Sequence, residues 1–129
     1  MDCVKGICTI VKDDRGVLLG NDFKNLPFIP KRVVFLKFTS GTIRGDHASK
    51  ETQVIQCLKG SVTLYLKDGN DVTTEEISEG TWIQIPKLIW VILSAKCECS
   101  MVAVYSPSEY IESNYIKNFN EYLSYKAKI

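Results

Sequence analysis

The sequence predicts an all-β protein in which antiparallel strands form a sandwich or barrel, followed by a short C-terminal helical tail. Short β-prone runs recur at roughly even spacing with turn signals between them, and no helical period interrupts them. The period changes only after Pro107, where aromatic residues recur at helical spacing. A length of 129 residues suits one hydrophobic core. We therefore expect a single domain, 1–129, with the barrel over about 1–106 and the tail over about 107–129.

The first strands of this pattern form a predicted hairpin and a longer apolar strand. Residues 6–12 are largely β-branched or apolar, and the DDRG sequence that follows supplies a tight turn into a second strand. Two prolines interrupt 21–30, so this stretch is expected to be irregular. The run at 32–38, RVVFLKF, is apolar on both alternating faces, which predicts a central strand buried on more than one side.

The remaining strands follow one another at short intervals. They are predicted at 52–58, 61–67, 72–77, 81–86, 90–95 and 100–106. Lys59 with Gly60, and the DGN sequence that ends at Asn70, mark two of the connecting turns.

The tail is predicted to be helical because five aromatic or aliphatic side chains recur at helical spacing. They are Tyr110, Tyr115, Phe119, Tyr122 and Leu123. Ser108 or Asn114 is a suitable N-cap. We expect one or two short helices that cover an end of the barrel.

Net charge and apolar patterning exclude two classes of partner. The formal net charge is +1 with both signs interspersed, so no basic stripe predicts binding to nucleic acid or to an anionic membrane. No window approaches the roughly 20 apolar residues of a membrane span. The N-terminus, MDCVKGICTI, lacks the charged and apolar regions of a signal peptide. We expect a cytoplasmic protein.

The five cysteines do not form a recognisable framework. Their number is odd and none forms a CxxC pair, so neither structural disulfides nor a zinc knuckle is indicated. Cys97 and Cys99 alternate on a predicted strand and are expected on the same face. Packing is the simpler role for them, and a reactive thiol pair is the alternative.

The segment from Gly41 to Gly60 carries the chemical information, because it holds His47, the only histidine of the chain. Its spacing resembles the first cupin motif, in which a glycine precedes His-x-His, a carboxylate and a closing glycine. Here Ser49 stands where the second histidine would be, and Gln53 stands where the glutamate would be.

The second cupin motif is similarly incomplete. Gly80 and Pro86 keep its spacing, but Val91 occupies the position of the expected histidine. A single imidazole lacks the converging nitrogen and oxygen donors that zinc, iron or manganese requires. We therefore predict no metal and no other cofactor.

Six sequence blocks together resemble the WxcM-like sugar-nucleotide family, the dTDP-4-keto-6-deoxyglucose 3,4-ketoisomerases of deoxyamino-sugar biosynthesis. They are DRGVL, LPFIPKRVVFL, RGDHASK, QVIQCLKGSV, IPKLIW and SPSEYIESNYIKNFNEYL. The resemblance implies a metal-free cupin jelly roll with a helical tail, usually a homodimer that exchanges N-terminal strands. It also implies a dTDP-linked sugar as the small-molecule partner, whose carbonyl moves from C4 to C3 through an enediol.

The resemblance also implies site residues. Family members place three imidazoles in the pocket, of which this chain keeps His47 and replaces the others with Ser49 and Val91. The predicted catalytic residues are His47, as base or acid, and Ser49, as a hydroxyl hydrogen-bonded to the substrate. The alternative for His47 is a core histidine hydrogen-bonded to backbone.

The predicted substrate-binding residues are cations, an amide and aromatic side chains. They are Arg44, Arg32, Lys50, Gln53, Trp90 and Tyr110. Arg44 suits a phosphate or sugar oxygen because a guanidinium binds such groups bidentately, although surface positions would explain all three cations equally well. Tyr110 and Tyr115 match family tyrosines of the tail, where they either close the pocket or pack within a helix.

Three functions follow from these observations. The first is 3,4-ketoisomerisation, the second is binding of a sugar nucleotide without catalysis, and the third is a divergent cupin with another ligand or a structural role. The missing imidazoles favour the second, and the extent of the resemblance favours the first.

Overall fold

The computed structural model describes residues 3–39 and 41–129, so Met1 and Asp2, with which the predicted domain begins, and Ser40 lie outside the described residues. The strands are β1 (Lys5–Ile7), β2 (Thr9–Asp13), β3 (Gly16–Gly20), β4 (Arg32–Lys37), β5 (Ile43–Ser49), β6 (Gln53–Lys59), β7 (Ser61–Asp68), β8 (Asp71–Ser78), β9 (Thr81–Ile85), β10 (Trp90–Ala95), β11 (Met101–Ser106) and β12 (Tyr115–Ile116). The helix is α1 (Phe119–Ala127), and short 3-10 turns lie at Phe23–Asn25 and Glu112–Asn114.

Two five-stranded antiparallel sheets pack face to face. Their strand orders are β1-β9-β6-β11-β4 and β12-β5-β10-β7-β8, with β2 and β3 forming a separate hairpin. The all-β prediction, the opening hairpin and the jelly-roll architecture are confirmed. The strands form two sheets rather than one continuous ladder around a barrel.

The main core lies between the two sheets, where the inward-facing aliphatic side chains interlock. It consists of Phe38, Ile55, Cys57, Val62, Leu64, Leu66, Ile77, Ile83, Ile85, Ile89, Val91, Leu93 and Val102. Because side chains alternate between faces along a strand, β6, β7, β9 and β10 contribute every second residue to this layer.

The strand β4 is at the edge of its sheet, so the prediction of a central strand was wrong. Its single neighbour among the described strands is β11, and its outer side chains Val33 and Phe35 are 41% and 61% exposed. The apolar character on both faces led to the prediction. An edge strand with exposed apolar side chains is a surface that another chain can cover.

The tail covers the outer face of the second sheet rather than an end of the barrel. Tyr122, fully buried at 0% exposure, packs there with Trp90, and its hydroxyl lies 2.9 Å from the Leu88 carbonyl oxygen. The helix begins after Asn118, whose side chain accepts a hydrogen bond from the Glu121 backbone N–H at 3.0 Å.

Two details of the predicted secondary structure were also wrong. Tyr115 lies in β12 and Tyr110 in a loop, so the helix holds only the later part of the predicted aromatic stripe. Cys97 and Cys99 lie in the turn after β10 rather than on a strand. Their sulfur atoms are nevertheless adjacent, 3.5 Å apart at the protein surface.

No helix in the described part of the chain is both long and apolar enough to span a membrane.

Candidate functional site

A cavity of about 290 Å³ opens between the two sheets. Its floor is aliphatic and consists of Val34, Leu36, Ile55, Ile85, Ile89, Val91, Leu93 and Val104. Its polar lining consists of Arg32, Arg44, His47, Ser49, Gln53, Tyr110, Tyr115 and Lys117. An apolar cavity with a few convergent polar groups is the usual form of a small-molecule site.

A β-bulge in β5 determines which side chains reach this cavity. Val91 of β10 pairs with His47, and the next residue of β10 pairs with Gly45, so Asp46 is an extra residue in the ladder. Gly45 and Asp46 have φ values of +82° and +60°, in the left-handed region. Without the bulge, alternation would place Arg44 and His47 on opposite faces, because they are three residues apart. With it, both line the cavity.

The bulge is fixed from outside by Trp90. The indole Nε1–H donates a hydrogen bond of 3.0 Å to Asp46 Oδ1, while the ring packs edge-on against Phe119 at 5.1 Å between centroids. At Gly45 an added Cβ would lie 2.8 Å from the Val91 carbonyl oxygen, so only glycine fits there without a shift. The tail helix therefore supports the site indirectly, through Trp90.

His47 has the geometry of a neutral imidazole with one nitrogen available. Its Nδ1 lies 3.1 Å from the Gly45 carbonyl oxygen, which accepts only, so Nδ1 carries the proton and Nε2 keeps its lone pair. Burial lowers the pKa of His47 below its usual 6.5, and the nearby positive charge of Lys117 lowers it further. The Gly45 hydrogen bond and the Asp46 charge oppose these effects. The side chain is thus an unprotonated base near neutral pH.

Tyr115 lies at the centre of the polar lining. Its hydroxyl accepts hydrogen bonds from Arg32 Nη1 at 3.0 Å and Gln53 Nε2 at 3.2 Å. Its ring contacts the His47 ring edge-on at 5.2 Å and stacks against Tyr110 at 5.9 Å between centroids. Two of the predicted binding residues, Gln53 and Arg32, therefore donate hydrogen bonds to Tyr115, which the predicted site does not include.

Three cationic side chains line the cavity. Among the ion pairs of residues 3–39 and 41–129, none involves Arg32, Arg44 or Lys117. Arg32 lies over the Tyr110 ring, with 4.8 Å from Cζ to the centroid. Uncompensated cations beside an apolar cavity suit an anionic ligand, because no internal carboxylate competes for them.

Two of the predicted binding residues are not among the cavity-lining side chains. Lys50 points toward the outer helix, with Nζ 5.2 Å from the Tyr125 ring centroid. Trp90 is on the outer face because it neighbours the inward-facing Val91, and it is 3% exposed. Ser49 does line the cavity, and its Oγ accepts a hydrogen bond from the Glu51 backbone N–H at 3.0 Å.

Sequence reasoning left Tyr115 and Lys117 out of the proposed site. The sequence predicts Tyr115 as a lid or as a packing residue of a helix, but it pairs in register with Ser49 across β12 and β5. Lys117 follows directly after β12 and precedes the cap Asn118, a position that no catalytic motif marks. The β-prone NYI sequence at 114–116 was the signal that could have predicted a strand at Tyr115.

The fold and the site together define a cupin-type protein with a cavity between two antiparallel sheets. The family described as WxcM-like, C-terminal (FdtA) matches residues 3–127. A curated relative from Aneurinibacillus thermoaerophilus, TDP-4-oxo-6-deoxy-alpha-D-glucose-3,4-oxoisomerase, is 34% identical over 123 residues, covering 91% of this chain and 87% of the relative. The chain therefore belongs to the WxcM-like, C-terminal family.

Solved structures agree with this assignment. A sugar 3,4-ketoisomerase from Thermoanaerobacterium thermosaccharolyticum, in complex with TDP, has a TM-score of 0.87 at 27% identity, with 98% of this chain and 95% of that chain covered. A 3,4-ketoisomerase from Helicobacter canadensis has a TM-score of 0.87 at 26% identity, with 98% of each chain covered.

Proposed function

We propose that this chain is a sugar-nucleotide 3,4-ketoisomerase that moves the carbonyl of a dTDP-linked 4-keto-6-deoxyhexose from C4 to C3 through an enediol. The main support for the proposal is His47, whose unprotonated imidazole lines a cavity that is also lined by cationic side chains. The chain's membership of this family also supports it. A related structure was solved in complex with TDP, which supports a nucleotide ligand of the same kind.

The base of this reaction is His47. A hydrogen on C3 is acidic because it is adjacent to the C4 carbonyl, and the imidazole Nε2 removes it and returns it to C4. One base is sufficient if the proton leaves C3 and reaches C4 on the same face of the sugar. The low pKa of His47, caused mainly by burial, keeps this base unprotonated before each turnover.

The other lining residues hold the substrate. Arg44 and Lys117, at the exposed side of the cavity, bind the diphosphate, and Gln53 and Tyr110 contact the sugar. The aliphatic floor accommodates the 6-deoxy methyl group and excludes water from the enediol. Ser49 contacts a sugar hydroxyl from the inner face of β5.

The chain forms a homodimer in this proposal and works in the cytoplasm. The edge strand β4, with Phe35 61% exposed, and the largely exposed hairpin of β2 and β3 support an interface between two copies. Cys8, Cys57, Cys97 and Cys99 are free thiols, which suits a reducing compartment. Phe35→Lys should convert the dimer to a monomer in light scattering, whereas Tyr65→Lys, at an exposed position of β7, should not. A wild-type monomer would contradict this part of the proposal.

A second candidate function is binding of the sugar nucleotide without turnover. It is favoured by Ser49 and Val91, which occupy inner-face positions where related enzymes are expected to hold imidazoles. Both candidates predict thermal stabilisation by dTDP, about 2.7 kcal/mol at 100 times the dissociation constant. They differ in turnover of dTDP-4-keto-6-deoxyglucose.

The test combines these two measurements. Stabilisation by dTDP with appearance of the 3-keto product in proton NMR supports the isomerase. Stabilisation without product supports the non-catalytic binder. Absence of both would overturn the proposal and favour a cupin with another ligand.

A further inference from the structure

We propose that Tyr115 relays the oxygen-bound proton of the isomerisation, giving a proton to O4 of the sugar and taking one from O3. The inference rests on the proposed function and adds a second catalytic residue to it. It assigns the carbon-bound proton to His47 and the oxygen-bound proton to Tyr115.

The hydrogen bonds at the Tyr115 hydroxyl leave its proton available to a ligand. A phenol oxygen has two acceptor lone pairs and one proton to donate. Arg32 Nη1 and Gln53 Nε2 are both donors, at 3.0 and 3.2 Å, so both lone pairs are occupied. The Tyr115 proton is left for a third group. Since Tyr115 lines the cavity, a ligand oxygen is the acceptor that the site is arranged to meet.

The orientation of Gln53 is fixed by a second partner. Its Nε2 also donates to Ser106 Oγ at 3.0 Å, and both groups are buried. The amide and the Arg32 guanidinium therefore remain in place when Tyr115 loses its proton. Two donors, one of them charged, stabilise the transient tyrosinate.

The position of Tyr115 in the sheet places it beside Ser49. Tyr115 pairs in register with Ser49 across the antiparallel strands β12 and β5, which places their side chains side by side on the inner face. In this chain Ser49 replaces the second imidazole that family members are expected to hold. A serine hydroxyl is too weak an acid to replace an imidazole, whereas a phenol exchanges protons far more readily.

Tyr115 also lies close to the proposed base, His47. The Tyr115 and His47 rings contact edge-on with centroids 5.2 Å apart, so a single sugar ring can reach both side chains. C3 and C4 are neighbouring atoms, as are the oxygens that they carry. One group for the carbon protons and one for the oxygen protons is therefore sufficient.

The steps balance without a cofactor. His47 Nε2 takes the proton from C3, the C–H electron pair becomes the C3=C4 double bond, and the carbonyl π pair moves to O4. Tyr115 protonates O4 to give the enediol, and the tyrosinate then takes the proton from O3. The O3 electron pair forms the C3 carbonyl, and the double-bond pair takes the proton from His47 at C4. Both side chains end as they began.

Tyr115→Phe tests the relay, because it keeps the ring contacts and removes only the hydroxyl. We expect kcat to fall at least about 100-fold, the usual contribution of a positioned acid or base. Affinity for dTDP should stay within about threefold. The C3 proton should still exchange with deuterated water, and faster than product forms, because His47 is intact. Tyr65→Phe, an exposed tyrosine on β7, is the matched control and should retain full activity.

The outcomes separate this inference from the proposed function. An inactive wild-type protein would contradict the function itself. An active wild type with Tyr115→Phe within threefold of its kcat would overturn the relay and leave the function standing. If the variant lost dTDP affinity and exchange together, Tyr115 would be a structural residue. Should the Phe variant fail to fold, 3-fluorotyrosine at position 115 replaces it, and an unchanged kcat would again overturn the relay.

Discussion

Replacing Gly45 by alanine tests whether the bulge in β5 builds the site. The backbone at Gly45 has φ of +82°, and an added Cβ would lie 2.8 Å from the Val91 carbonyl oxygen. The left-handed conformation costs an L-residue roughly 1 to 2 kcal/mol. The clash with backbone adds about 1 to 3 kcal/mol, the usual range for overpacking. We expect a total destabilisation of about 2 to 5 kcal/mol.

Gly69→Ala is the matched control. Gly69 also has positive φ, +63°, but nothing lies within 4 Å of an added Cβ. Its expected loss is roughly 1 to 2 kcal/mol, from backbone conformation alone. The difference between the two variants, about 1 to 3 kcal/mol, isolates the contact with the Val91 carbonyl.

Urea unfolding followed by tryptophan fluorescence measures both variants. Trp90 packs against the bulge, so its emission also reports local rearrangement. Because Arg44 and His47 share the inner face only through the bulge, Gly45→Ala should also lower kcat/KM by about 10- to 100-fold, as expected for misplaced catalytic groups. Equal unfolding midpoints for Gly45→Ala and Gly69→Ala, with full activity in both, would show that the bulge does not build the site.

Three further predictions concern the support of the bulge, the base and the surface thiols. Trp90→Phe keeps the apolar packing and removes the hydrogen bond to the bulge carboxylate, so it should cost about 1 kcal/mol in urea unfolding and lower kcat; full activity would contradict this role. The acid limb of kcat/KM should lie below pH 6.5, because burial and the Lys117 charge lower the pKa of His47, and Lys117→Met should move it upward. Hydrogen bonds from Ser100 and Cys99 lower the pKa of Cys97, whereas burial raises the pKa of Cys57 to about 11. Iodoacetamide should therefore label Cys97 first in peptide mass spectra, and equal labelling would argue against this difference.

The strands and the jelly roll could be predicted because their signals are local. Alternating apolar residues and turn glycines identify each strand without knowledge of its neighbours. The position of β4 could not be predicted in this way. Val33 and Phe35 make the run apolar on both faces, and whether the outer face meets a sheet, another chain or solvent depends on topology. Apolar pattern alone does not distinguish an edge that is covered by a partner from a central strand.

The site could be predicted in part. His47 could be proposed as a site residue because it is the only histidine and lies in a recognisable frame. The joint position of Arg44 and His47 depends on the bulge, and strict alternation would have separated them. The Gly45–Asp46 pair within a strand was a usable signal, since both residue types adopt positive φ. Tyr115 was assigned to a helical stripe because its spacing to Phe119 and Tyr122 fits both a helix and a strand followed by a helix.

Proton NMR of dTDP-4-keto-6-deoxyglucose in deuterated water, with the wild-type protein and with His47→Asn, tests whether the protein is an isomerase and whether His47 is its base. We expect loss of the C3 proton signal and appearance of the 3-keto product with the wild type. With His47→Asn we expect neither above the no-protein control, although that variant still binds dTDP. Equal exchange and product formation in the two proteins would contradict the assignment of His47 as the base, and no reaction in either would contradict the isomerase.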